Sequence, residues 1–174
     1  VLMALPLALS LASPLSGRLS DRIGSRLLTV GGLLLAALSL IGLSFSTPTT
    51  PVLQLIAFLL LLGVGVGLFQ SPNNSTVLGN APREALGVAS GLLAVMRTLG
   101  QTAGIAVAGA IWASRVLALN GGPANPITTA TPTALAGGFS LAMRVAAGLV
   151  LLAIVPSLAG GRALARQELP ARAD

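Results

Sequence analysis

The chain has 174 residues, 54% of them apolar and only 8% charged, with a mean hydropathy of +0.92 and a net charge of +6. A soluble domain carries roughly 25% charged residues, so most of this surface is not built for water, and the expected fold is an all-α polytopic bundle of about five transmembrane helices, because unpaired backbone does not cross lipid. All ten basic residues are Arg, the acids are Asp21, Glu84, Glu168 and Asp174, and His, Cys, Lys and Tyr are absent; thiolate, imidazole and Schiff-base chemistry fall away with zinc and disulfide sites, and no enzyme activity, cofactor or metal is expected.

The first apolar stretch covers residues 1–16. It starts without an initiator Met or a basic leader, so it reads as a helix entered partway rather than as a signal peptide. A charged break at residues 17–26 separates it from a second stretch at 27–45. The uncharged turn Thr47 to Pro51 leads to a third at 52–71, a short turn at 79–85 to a fourth at 86–114, and a Gly-, Pro-, Asn- and Thr-rich connector at 116–133 to a fifth at 135–161. The last four have the ~20 residues that a ~30 Å hydrocarbon core requires. Residues 1–161 are therefore expected to form one membrane domain and 162–174 a tail.

Arg sets the expected orientation. Arg18, Arg22, Arg26, Arg83, Arg162, Arg166 and Arg172 fall in alternate breaks, whereas the opposite side holds only Arg115. The positive-inside rule then puts the first break, the 79–85 turn and the C-terminus in the cytoplasm. A nucleic-acid footprint would need Arg clustered on a soluble face, and nucleic acid is not an expected partner. Lipid is.

Three constellations carry most of the information. The first is Gly17-Arg18-Leu19-Ser20-Asp21-Arg22-Ile23-Gly24-Ser25-Arg26, where Gly permits a tight turn and Asp21 has the chemistry to cap a helix or pair with Arg at the membrane surface. An ordinary positive-inside loop with an incidental Asp is the plain alternative. The second is the small-residue spacing of Gly63 with Gly67, Gly87 with Gly91 and Gly100 with Gly104. Gly63-Val64-Gly65-Val66-Gly67 lies inside an apolar run, without the strand that a dinucleotide loop needs, so helix packing is the expected role. The third is polar matter at membrane depth. Arg97 shares a helix face with Gln101 at i+4, and Gln70, Asn73 and Asn74 flank Pro72. Such residues are candidates for lining a cavity, although Arg97 also has a stem long enough to snorkel to the interface, as is expected of Arg144. Asn73 and Asn74 also form glycosylation sequons, but on the side expected to be cytoplasmic.

The first constellation resembles the major facilitator superfamily signature G-x-L-[SA]-D-R-x-G-R-[RK]. Gly17, Leu19, Asp21, Arg22, Gly24 and Arg26 match, and Ser25 departs by replacing a usual basic residue. Pro82, Glu84, Gly87, Ala89, Ser90 and Gly91 are similar to a turn in the late helices of the fourteen-span drug:proton antiporters of that superfamily. Arg97, Gly100, Gln101 and Gly104 resemble the helix that follows it, though Gln101 comes after Gly100 rather than before. The resemblance implies the last five of fourteen helices, the C-terminal part of a transporter that rocks about a site near the midplane. It also implies proton-coupled efflux of drugs or other hydrophobic or cationic small molecules across a bacterial inner membrane. The missing N-terminal helices of the same protein would then be partners and would hold the titrating acid, since all four acids fall in breaks or the tail. On this resemblance the residues from Gly17 to Arg26 brace the inner gate. The alternative is a non-transporting five-span scaffold or partner subunit that packs through its Gly faces.

Overall fold

The computed structural model describes residues 3–122 and 127–167, apart from the side chains of residues 21, 22 and 159–167. Five long helices carry the chain: α1 (Ala4–Ile23), α2 (Ser25–Ser44), α3 (Val52–Gly79), α4 (Leu86–Leu119) and α5 (Pro132–Gln167), with single 3-10 turns at Arg83–Ala85 and Ile127–Thr129. No strand occurs among the described residues, and the all-α class holds. Four stretches, Ser25–Ser44, Val52–Gly79, Arg83–Leu119 and Pro132–Leu158, are long and apolar enough to cross a membrane.

The helices pack in the lateral order α1, α3, α2, α5, α4. Glycine explains why α3 occupies an inner position. Gly63 and Gly67, one turn apart, face α1, where an added Cβ would stand 2.5 Å from the Leu5 carbonyl oxygen and 2.8 Å from Ala12 Cβ. Gly65 lies about 200° round the helix and faces α2, where a Cβ would come within 2.7 Å of the Ala36 nitrogen and 2.8 Å of the Gly32 oxygen. Lipid supplies no hydrophobic force between helices, so this close backbone approach, with its dispersion contacts, holds the sandwich together. Ser39, fully buried on α2, adds a hydroxyl bond to the Phe58 carbonyl of α3.

The helices run further than the composition breaks suggest. α3 continues through Pro72 to Gly79, eight residues past the expected end at residue 71. Proline lacks an N–H, so the carbonyl four residues back loses its helical partner. That carbonyl belongs to Leu68, and it accepts a 3.2 Å hydrogen bond from the buried Ser16 hydroxyl of α1. The helix therefore crosses its own proline because a neighbour supplies the missing donor. The fourth helix likewise runs past residue 114 to Leu119, and the fifth starts at Pro132 and extends beyond residue 161 to Gln167. The expected connector at 116–133 shrinks accordingly.

The break expected at residues 17–26 contracts to a single residue. α1 continues to Ile23, Gly24 closes it with a hydrogen bond from its N–H to the Ser20 carbonyl at 3.0 Å, and α2 starts at Ser25. Gly24 has φ 87° and ψ 138°, a conformation that a side chain makes costly. Most of the signature thus lies on the last two turns of α1 rather than in a loop.

The bundle brings the ends of α1, α3 and α5 and the starts of α2 and α4 to one side. Arg26 at the start of α2 donates from Nη2 to the Leu158 carbonyl near the end of α5. Toward the other end, the Arg144 guanidinium of α5 lies 5.8 Å from the ring centroid of Phe45, which caps α2. Arg144 therefore rests on an aromatic face, a use of the cation that its expected snorkelling did not include.

Candidate functional site

α3 and α4 are joined by the short turn at residues 80–85 yet touch only sparsely along their lengths. α4 leans instead on α5, where Trp112 and the fully buried Val116 crowd Gly138, and Leu119 crowds Gly137. The N-terminal half of α4 is left standing away from α3. Between them lies a cleft of about 380 Å³, lined by Val66, Phe69, Gln70, Asn73 and Asn74 from α3 and by Leu93, Met96, Arg97 and Gln101 from α4. Both sets recur at three- and four-residue intervals, so each helix turns one face to the cleft. A smaller recess beside it adds Leu78, Ser90 and Ala94.

Arg97 bridges the cleft. With the Gln70 amide oxygen turned toward it, that oxygen stands 3.1–3.2 Å from Nε, Nη1 and Nη2, over the face of the guanidinium. Asn74 Oδ1 accepts a longer bond from Nη2 at 3.4 Å. Arg97 is eleven residues beyond the start of α4 at Leu86, and Gln70 nine before the end of α3 at Gly79. At 1.5 Å per residue the two sit about 16 and 14 Å from the turn that joins the helices. The guanidinium thus reaches sideways to α3 at nearly its own depth instead of running down to the interface. Among the described residues no carboxylate lines the cleft, and Glu84 lies on the turn between the helices.

The other expected site residues divide. Gly17 directly follows Ser16 and has room for a Cβ, the Ser71 hydroxyl being 3.7 Å away. Arg18 is exposed on α1, Gly24 forms the hinge and Arg26 ties α2 to α5. The side chains of Asp21 and Arg22 lie outside the described residues, as do Glu168 and Asp174. Gly63 and Gly67 pack as their spacing predicts. Gly87, Gly91, Gly100 and Gly104 have nothing within 4 Å of where a Cβ would stand, so the packing expected of these four finds no neighbour among the described residues. The reason is that, among the described residues, α4 meets α5 through its C-terminal half, at Trp112, Val116 and Leu119. Sequence reasoning also passed over Ser16, whose role depends on a proline 56 residues away, and the apolar walls Val66, Phe69, Leu93 and Met96. Their spacing relative to Gln70 and Arg97 was the available signal.

Residues 1–105 match the family model described as Major Facilitator Superfamily. The uncharacterized transporter YebQ of Escherichia coli (strain K12) is 43% identical over 76 residues, which cover 44% of this chain and 17% of YebQ. The quinolone resistance protein NorB of Staphylococcus aureus (strain COL) is 30% identical over 125 residues, or 72% of this chain and 25% of NorB. NorB of strain JH9 is 35% identical over 82 residues, covering 47% and 18% of the two chains. This chain spans a quarter or less of the length of these relatives, and no solved structure matches it. A family match over more than half of the residues, on an apolar bundle of the kind that family builds, shows that the chain belongs to the Major Facilitator Superfamily of multi-pass membrane transporters.

Proposed function

We propose that this chain is the C-terminal part of a secondary active, proton-coupled exporter of drug-like hydrophobic small molecules in a bacterial inner membrane. The observation that carries the reading is the α3–α4 cleft, in which one face of each of two otherwise apolar helices gathers Gln70, Asn73, Asn74, Arg97 and Gln101. Polar groups at membrane depth are costly and are kept where substrate or ions pass, and superfamily transporters bind substrate near the midplane. The likeness to NorB, a quinolone resistance protein, supports export as the direction. The small share of each relative that is covered supports the view that further helices of the same protein complete the path and supply the coupling acid, because no described residue of the cleft is a carboxylate.

The segment from Gly17 to Arg26 is read as the inner gate, with the Arg-bearing end in the cytoplasm together with the C-terminus. Arg26 supports this, since its bond to Leu158 is a contact that a rocking motion at that end would make and break. The test is Asp21→Asn in the full-length transporter, scored by efflux of a fluorescent substrate from cells and by the amount inserted in the membrane. Efflux should fall while insertion holds. Normal efflux would remove the gate role, and no efflux from the unmodified protein would leave the non-transporting scaffold in its place.

A further inference from the structure

Among the described residues, Arg97 is the one charged residue that lines the α3–α4 cleft. Its described partners, the Gln70 and Asn74 amide oxygens, are both neutral. They place partial negative charge beside the guanidinium without cancelling its charge. Around it stand Val66, Phe69, Leu93 and Met96, so the charge sits among apolar side chains on helices long and apolar enough to cross a membrane, where an ionised group calls for a partner. A guanidinium's planar fork matches a carboxylate in two parallel bonds, whereas an ammonium or quaternary nitrogen would be repelled. The space, about 380 Å³, is of the size that small-molecule sites take. Gln101 and Asn73, on the same lining, bring further amide N–H donors for oxygen atoms.

We infer that this cleft takes the anionic end of an amphipathic small molecule, a carboxylate on a flat apolar body, with Arg97 as its charge partner and Gln70 as the residue that positions Arg97. The body lies against Phe69, Leu93 and Met96. This inference rests on the export reading for the fate of the ligand, but not for its binding. It reverses the cationic part of the sequence-based expectation, because the cleft offers a cation no acceptor charge.

The experiment uses three probes that share one fluorophore: dansylglycine, an anion; dansylglycinamide, neutral; and dansylcadaverine, a cation. Binding to the full-length protein in nanodiscs is read from dansyl fluorescence, and uptake into inverted vesicles is measured separately. Dansylglycine should bind about tenfold or more tighter than its amide. Arg97→Gln should weaken dansylglycine by about 10- to 100-fold, the range for a hydrogen bond to a charged group, and leave the amide unchanged. Arg97→Lys should keep part of the preference, which shows that charge is needed and that the variants fold. Equal binding of the three probes, a preference for dansylcadaverine, or no effect of Arg97→Gln on dansylglycine would overturn the inference. The last result would mean that an acid elsewhere in the full-length protein neutralises Arg97. Anion-selective binding without uptake would keep the site and sink the export reading, while uptake of dansylcadaverine alone would do the reverse.

Discussion

Replacing Ser16 with alanine removes the donor that serves the Leu68 carbonyl, left without its helical partner by Pro72. Ser16 is fully buried, the bond is 3.2 Å long, and Pro72 is buried beside it, so water does not take over. A neutral hydrogen bond contributes about 0.5–1.5 kcal/mol net, and leaving a buried partner unpaired costs about 1–3 kcal/mol. Side-chain bonds inside membrane proteins average only about 0.6 kcal/mol and reach about 1.7, because the unfolded chain in lipid also finds partners. Ser16→Ala should therefore cost about 1 kcal/mol. Pro72→Ala returns an N–H to the i−4 carbonyl, and in that background Ser16→Ala should cost close to nothing. Equilibrium unfolding of the purified protein in mixed micelles of rising SDS content, on the wild type, both single variants and the double variant, gives the coupling directly. A cost for Ser16→Ala that agrees in the two backgrounds to within about 0.4 kcal/mol, the usual error of additivity, would refute the reasoning.

Three further outcomes follow from the packing. Gly65→Ala should destabilise the bundle by about 1–3 kcal/mol, since its Cβ meets the α2 backbone, while Gly42→Ala should cost under about 1 kcal/mol because the atoms in its way belong to the Phe58 ring, which can turn; equal losses in SDS titration would contradict the geometry. Gly24→Ala meets nothing within 4 Å, so its loss of about 1–3 kcal/mol in the same titration should come from backbone strain alone, and no loss would mean that the α1–α2 hinge adopts another conformation. Phe45→Leu should remove the ring beneath Arg144 at a cost of about 0.5–1 kcal/mol, and a double cycle with Arg144→Gln that shows no coupling would deny the contact.

The GxxxG pairs show how far a local pattern reaches. Gly63 with Gly67 and Gly100 with Gly104 have the same spacing and the same apolar setting, yet among the described residues only the first pair lies against a neighbour. Spacing says that a face is small, not that a helix will come to it. Pro72 teaches the converse. Beside a proline, the polar run Gln70 to Ser75 reads as the end of a helix, yet α3 continues, and Ser16 from α1 serves the carbonyl that the proline leaves unpaired. Gln70 and Arg97 were each legible as costly polar groups in apolar runs, but nothing in a spacing of 27 residues says that they meet.

By itself the sequence determined the apolar character and the number of the helices, because hydropathy and helix length are sums over neighbouring residues. The tertiary structure decided which glycine faces are filled, that the signature is helix with a one-residue hinge, and that Arg97 is held across a cleft by neutral amides. Those outcomes depend on how helices that are distant in sequence settle against one another, and close packing and hydrogen-bond geometry choose among arrangements that composition leaves nearly equal.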